Sequence, residues 1–388
     1  MSSQDTPNQI ASPLRPFGES IFSQINRMAI KAQAVNLSQG CPDFDAPAFI
    51  REAARDAIES GNNQYGPMAG ATELTAAIAD DARDFMKMDI DAASEVTTTC
   101  GCTEAISASI LGLLQEGDEV ILMDPVYDCY RPCLALANVT TRSVTMQAPD
   151  FALDAAAIDA ACTERTRAIM INTPHNPTGR VFTRTELEAL AEVCRRRDLL
   201  VFSDEVYNRI VFEGEHVSIA SLPGMADRTI TLCSLGKTFS VTGWKIGWAI
   251  APPHLTAGIR AAHQFITFGS AHPLQHAAAV ALRDRSEYYT QLVSDYRESR
   301  DLLCEGLRRA GFKFNMPEGG YFVLCDHTHL GQPDDIAACR WLIDEIGLAS
   351  IPPSSFYANP AQGSQLIRFA FCKRIETIEA ALERLARL

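Results

Sequence analysis

SLGKTFSVTGWKIGW, residues 234–248, directly follows the apolar run TITLC (229–233) and leads into IGWAIA (246–251). Only six of the 34 basic residues are lysines, and two of them, Lys237 and Lys245, stand eight apart in this stretch. A short apolar run closed by Ser and Gly reads as a buried strand. Lys237 therefore falls just past the carboxyl end of one strand and Lys245 at the start of the next, where a solvated lysine does not normally stand.

Working outward, EVILM (119–123), RAIMI (167–171) and LLVFS (199–203) repeat the pattern of short buried strands. Helical stretches lie between several of them. Thr183-Arg-Thr-Glu186 forms a capping box, followed by Leu187, Leu190, Ala191 and Cys194 at helical spacing. Such alternation predicts an α/β fold with a mostly parallel sheet flanked by helices. Four polar clusters follow strands: Gly101-Cys102-Thr103, His175 to Gly179, Asp204 to Tyr207, and Ser234 to Lys237. Ligands bind at the carboxyl ends of strands in open parallel sheets, so the clusters converge on one crevice.

The last hundred residues read differently, with a long helical stretch near 286–310, then GFKFN, YFVLC and LIRFAF as short strands, and a terminal helix from about 375. We expect a large domain over 46–285 and a smaller α+β domain made of 286–388 with the N-terminal arm, 1–45.

The chain has 388 residues, 47% hydrophobic and 21% charged, enough for a sizeable core in two domains. Its formal net charge of -14 repels phosphate backbones and anionic headgroups, which argues against nucleic acid and membrane partners. No apolar run approaches the ~18 residues of a membrane span, and the first eighteen residues lack the regions of a secretion signal. A soluble cytoplasmic protein is expected. The twelve cysteines fall in no CxxC pair, so they read as reduced, small apolar residues, with no metal site.

Nine strings, in order, carry a family resemblance: SIFSQINRMA, NLSQGCPDFDAP, NQYGPMAG, PVYDCY, INTPHNPTG, SDEVY, SLGKTFSVTGWKIGW, EGGYF and LIRFAFCK. Over almost its whole length the sequence resembles the fold-type-I aminotransferases that use pyridoxal 5'-phosphate, in the class I/II subgroup with kynurenine, glutamine and methionine aminotransferases. The resemblance implies that Lys237 forms the Schiff base with the cofactor and shuttles the substrate proton. It implies that Asp204 pairs with the pyridinium nitrogen, that Tyr207 and Asn176 donate to the ring oxygen, and that Tyr127 stacks on the ring. The phosphate would take the amides of Cys102 and Thr103, the Ser234 hydroxyl and Lys245, with Tyr65 reaching across from a second subunit of a homodimer. Arg368, set among apolar neighbours, matches the arginine that binds the substrate carboxylate. Gly40 resembles the glycine whose backbone approaches the same group, and Ile21, Phe22 and Phe268 fall in segments matched to those that line the substrate pocket in relatives.

Three positions depart from the wider superfamily: Gly236 precedes the lysine where a small hydroxyl residue is common, Lys245 replaces an arginine, and Cys102 replaces an alanine. His272 is either a specificity group or a capped loop histidine. The pocket segments GESIF, GCPDF and FITFGSAH contain no arginine or lysine. An amino donor with an uncharged thioether, amide or aromatic side chain is therefore expected, passing its nitrogen to a 2-oxo acid. A cationic substrate is the competitor, because Glu19 stands where relatives often carry a small hydroxyl residue. The same machinery could serve a β-lyase, an oxidase or a cyclase, and a non-catalytic ligand sensor is the reading from another class.

Overall fold

The computed structural model describes residues 10–283 and 287–388. Eleven strands are present among the described residues: β1 (Val35–Asn36), β2 (Val96–Thr99), β3 (Glu119–Asp124), β4 (Thr140–Thr145), β5 (Thr166–Asn172), β6 (Leu200–Asp204), β7 (Thr229–Ser234), β8 (Gly247–Ile250), β9 (Phe322–Asp326), β10 (Leu348–Ala349) and β11 (Leu366–Ala370). Seven form one sheet in the order β2-β8-β7-β6-β5-β3-β4. Within it only β8 runs against its neighbours, and the other adjacent pairs are parallel.

Successive side chains of a strand point to opposite faces, and the core divides accordingly. Val120, Leu122, Ala168, Met170, Phe202 and Leu232 pack on one face, with the helices Cys102–Leu113 and Pro253–Ile266 over them. Ile121, Met123, Ile169, Ile171 and Val201 pack on the other, against the helix Arg184–Arg197. That helix carries the expected capping box: the Thr183 hydroxyl accepts from the Glu186 amide, and the Glu186 carboxylate accepts from the Thr183 amide. Both faces being covered explains why these strands read as unbroken apolar runs.

A third apolar core joins Ile25, Ala29 and Leu37 near the N-terminus to Leu303, Leu307, Ile367, Phe369 and Ile378 near the C-terminus. Here β9 pairs antiparallel with β11, and β1 lies parallel to β10. The long helix spans Tyr288–Arg309 and the terminal one Ile375–Leu385. Residue 286, where the long helical stretch was expected to begin, lies outside the described residues.

GFKFN does not become a strand. Lys313 makes a single bridge to Asp326, and Asn315 turns away to donate its side-chain amide to the Pro149 carbonyl at 2.9 Å. Conversely β4 escaped the sequence pattern, because TTRSVT is a half-exposed edge strand with no apolar run. Among the described residues no helix is long and apolar enough to cross a membrane.

Candidate active site

The carboxyl ends of β2, β3, β5, β6 and β7 open along one edge of the sheet. Because β8 runs the other way, its start, with Lys245 just before it, reaches that same edge. The crevice there holds a cavity of about 330 Å³, and Gly40, Cys102, Thr103, Tyr127, Asn176, Asp204, Tyr207, Ser234, Lys237, Lys245, Phe22 and Arg368 all line it. Ladder register sets the polar ends side by side: Asn172 stands opposite Asp204, and Ser234 and Thr99 both face Gly247.

Asp204 is buried, and desolvation pushes its carboxyl up to about 6 although Tyr130 and the Val206 amide pull the other way. The Tyr130 hydroxyl donates to Oδ2 at 2.6 Å, and the Cys102 thiol lies 3.8 Å from Oδ1. Burial holds that thiol well above its ordinary range, so it stays protonated and faces the carboxylate as a weak donor. Lys237 Nζ donates to the Gly40 carbonyl at 3.3 Å and lies 5.9 Å from the ring centres of Tyr207 and Tyr321. Burial lowers the proton affinity of its amine. Tyr207 is raised for the same reason, and so is Tyr127.

At the other end of the crevice the helix Cys102–Leu113 begins behind Gly101, whose φ of 77° is in the left-handed region that glycine tolerates. A Cβ on Gly101 would stand 3.0 Å from Lys245 Nζ. The ammonium thus sits against the positive end of a helix, two sources of positive potential that together suit an anion. The sequence places Lys245 where a solvated lysine does not normally stand; the structure leaves it exposed and lining the crevice, since the turn before an antiparallel strand opens onto the edge.

Arg368 is 1% exposed. Its Nη1 donates to Asn176 Oδ1 at 2.8 Å and its Nη2 to the Ser38 carbonyl at 3.1 Å, while Nε has no partner. The guanidinium lies 4.1 Å from the ring centre of Phe322. Among the described residues no carboxylate hydrogen-bonds this buried cation, and burial lowers its proton affinity to about 10. Asn176 is held by its amide N–H to Asn172 Oδ1 at 2.7 Å, and its bond to Arg368 orients Nδ2 as its donor end.

Three expected residues stand apart from the crevice of their own chain. Ile21 begins the helix Ile21–Ala32 and packs on the N- and C-terminal core; a helix turns ~100° per residue, so Phe22 faces the crevice and Ile21 does not. Tyr65 is 89% exposed, and its ring meets Phe268 edge-on at 5.4 Å on an outer surface. Phe268 is carried there by the turn that closes the helix Pro253–Ile266, its amide donating to the His263 carbonyl. His272 joins the same surface, donating from Nδ1 to the Gln64 carbonyl at 3.2 Å. Glu19 is paired with Arg27 at 2.7 Å, away from the crevice.

Sequence reasoning missed Tyr130 and Asn172, although both lie inside strings it singled out, PVYDCY and INTPHNPTG. It also missed Tyr321, which donates to the Gly40 carbonyl at 2.8 Å, and Lys373, which donates to the Cys41 carbonyl at 2.7 Å. Taken together the donors suit a flat, phosphorylated aromatic with a protonatable ring nitrogen: an anion cradle at one end and a buried carboxylate at the other. Between them stands an amine of depressed proton affinity, and beside it an arginine ready for a second carboxylate.

Residues 32–385 match the family model for aminotransferase class I and II. The chain is 43% identical over 388 residues to the probable N-succinyldiaminopimelate aminotransferase DapC of Mycobacterium tuberculosis, covering 97% of each chain. It is 36% identical over 396 residues to human kynurenine--oxoglutarate transaminase 1, covering 92% of this chain and 93% of the other. The crystal structure of YbdL from Escherichia coli, described as having a methionine aminotransferase function, superposes with a TM-score of 0.95 at 40% identity, covering 98% of this chain and all of that one.

Proposed function

The chain belongs to the class I and II aminotransferases and is a pyridoxal-phosphate-dependent enzyme of fold type I that exchanges nitrogen between an amino acid and a 2-oxo acid; we propose that its amino donor carries an uncharged thioether, amide or aromatic side chain. One observation carries this reading. Of the cations lining the crevice, Lys237 and Lys245 face the cofactor end and Arg368 is matched to the α-carboxylate, so none is left for a distal carboxylate. An unpaired charge in such a pocket costs several kcal/mol. Phe22, Tyr127 and Phe322 supply apolar wall instead. Glu19, the acid that favoured a cationic donor, is already paired with Arg27. The named activities of two relatives, on methionine and kynurenine, are compatible with this class, whereas the N-succinyldiaminopimelate of the third carries carboxylates beyond its amino carbon.

The proposed roles follow from position. Pyridoxal phosphate, when bound, supplies an electron sink for the pair released at the substrate α-carbon. Asp204 would hold its ring nitrogen protonated, and Tyr127 would supply the aromatic wall beside the ring. Asn176 and Tyr207 would donate to the ring oxygen. The Cys102 and Thr103 amides, Ser234 and Lys245 would hold the phosphate. Lys237 Nζ would be the covalent anchor and the carrier of the α-proton, for which an amine already depressed by burial is suited. Arg368 orients the α-carboxylate, with Asn176 fixing the plane of the guanidinium. Gly40 keeps that approach open, since a Cβ there would meet Phe322 at 2.7 Å.

The working unit in this reading is a homodimer with composite sites. Tyr65, Phe265, Ile266 and Phe268 are all exposed, an apolar surface unusual for a monomer and suited to a second copy, with Tyr65 and Phe268 passing to the partner's crevice. The proposed division is a large domain over 46–285 and a small one from 1–45 and 286–388, supported by the shared core of N- and C-terminal residues. A reducing cytoplasm is supported by twelve free thiols.

The test is a panel of methionine, glutamine, kynurenine, phenylalanine, arginine and aspartate compared by kcat/KM with one 2-oxo acid. The best donor should have an uncharged side chain. If aspartate leads, the pocket argument is wrong; if arginine leads, the substrate class is wrong while the nitrogen exchange stands.

A further inference from the structure

Beneath the anion cradle lies a charge pair that the roles above leave unused. Glu104 sits in the first turn of the helix Cys102–Leu113, and His263 in the last turn of the helix Pro253–Ile266; both are buried, His263 completely. Their helices approach to backbone contact because glycines meet at the crossing. A Cβ on Gly112 would come within 2.2 Å of the Gly258 carbonyl oxygen. His263 Nδ1 lies 2.6 Å from Glu104 Oε1, which also accepts from the Thr267 hydroxyl at 3.1 Å. Glu104 Oε2 accepts the Cys100 amide at 2.5 Å.

The other ring nitrogen fixes where one proton stands. His263 Nε2 lies 3.0 Å from the Met68 carbonyl, which can only accept, so Nε2 carries a proton. Glu104 meanwhile receives the Cys100 N–H and the Thr267 O–H, donors that favour an ionised carboxylate. The 2.6 Å contact between Nδ1 and Oε1 needs one proton between them, so the pair as a whole is neutral, the histidine offsetting the charge of the acid.

An acid in the first turn normally strengthens a helix, but this helix has a second task. Its N-terminal amides, Cys102 and Thr103, lie on the crevice beside Lys245. An uncompensated carboxylate one residue further on would repel the very anion those amides and Lys245 attract. His263 supplies the missing positive charge from the neighbouring helix, so Glu104 can fix the Cys100–Gly101 turn without spoiling the field above it. Thr267, which also holds the carboxylate, and Met68, three residues after Tyr65, tie the same pair to both segments of the exposed Tyr65–Phe268 surface.

We propose that Glu104 and His263 are positioning residues for the cofactor phosphate: the acid shapes the cradle, and the histidine cancels its charge so that the helix N-terminus stays attractive to a dianion. This rests on the assignment of Cys102, Thr103 and Lys245 to the phosphate.

The test compares affinities for pyridoxal phosphate and for pyridoxal, which lacks the phosphate, by absorbance titration of the resolved full-length protein after confirming its fold by circular dichroism. His263→Gln should lower the phosphate-dependent preference at least roughly tenfold, because a bare carboxylate then faces the site. The double variant Glu104→Gln/His263→Gln, with both charges gone, should recover it to within about threefold. A merely structural pair would lower both affinities together and would not recover. Lys245→Ala separates the two levels of the argument. If Lys245→Ala loses the preference while His263→Gln keeps it, the proposal is wrong and the phosphate assignment stands. If Lys245→Ala keeps it, the phosphate assignment fails and the proposal with it. Should His263→Gln fail to fold, His263→Asn takes its place: a roughly tenfold lower preference that Glu104→Gln/His263→Asn recovers supports charge cancellation, and an unchanged preference in His263→Asn overturns it.

Discussion

Tyr130 donates its hydroxyl proton to Asp204 Oδ2 at 2.6 Å, across the 74 residues that separate them in sequence. The bond lowers the proton affinity of a carboxyl that burial raises, and so favours the ionised form. Tyr130→Phe should leave the fold intact and shift Asp204 further toward its neutral form. A hydrogen bond to a charged group is worth about 1.5 to 3 kcal/mol, so the half-reaction with a good amino donor should slow by roughly ten- to a hundredfold. Asp204→Asn, which removes the charge altogether, should slow it at least a hundredfold. Stopped-flow absorbance of the cofactor reads both, and a loss under threefold in Tyr130→Phe would reduce its hydroxyl to a packing group.

In cofactor-free protein the same carboxyl has a pH signature. Held up at about 6 when folded and near 3.9 when unfolded, Asp204 binds more proton in the folded chain between those values. The stabilisation is present below pH ~4 and is lost as pH rises through 6, about 3 kcal/mol in all. Cofactor-free Asp204→Asn, neutral throughout, should therefore melt higher than the cofactor-free parent at pH 7.5 and close to it near pH 4. Equal melting curves at pH 7.5 would show that the buried carboxylate is not destabilising.

Arg368 should not tolerate lysine. Lysine cannot offer the planar pair of donors a carboxylate takes, nor keep both the Asn176 and Ser38 contacts. Arg368→Lys is expected to raise KM for the amino donor by roughly ten- to a hundredfold, the scale of a lost charge-assisted pair. Cofactor affinity should change little. A loss confined to cofactor binding would move Arg368 out of the substrate site.

Lys237 is expected to hold the cofactor covalently. Borohydride reduction of the loaded enzyme followed by peptide mapping should find the pyridoxyl group on Lys237. Finding it on Lys245 would exchange the roles of the two lysines.

A composite site predicts complementation. Chains carrying Lys237→Ala, mixed with chains impaired at Tyr65 by substitution with Ala, should form hybrid dimers in which one site has both residues, and activity should return toward a quarter of the parent on random pairing. Sedimentation of the parent as an active monomer would contradict it.

Most of the site could be read from the chain alone because parallel strands gather their carboxyl ends at one edge. Once TITLC, LLVFS and RAIMI read as strands, Lys237, Asp204 and Asn176 had to open on the same crevice, whatever the packing. Apolar pattern and turn chemistry are local properties, legible over a handful of residues. They also misread local exceptions: GFKFN has the alternation of a strand but no neighbour to pair with over its length.

What only tertiary structure decided are the bonds between segments that share no pattern. Arg368 meets Asn176 across 192 residues, and Glu104 meets His263 across 159. The second contact depends on two glycines letting two helices cross at backbone distance, and on which face each helix turns inward. Lys245 reaches the crevice only because β8 runs antiparallel, and Tyr65 and Phe268 leave it because their segments pack on the outer surface. Sequence periodicity fixes which face of an element is apolar. The angle at which two elements cross, and hence which polar groups are brought within 3 Å, follows from close packing of the whole core.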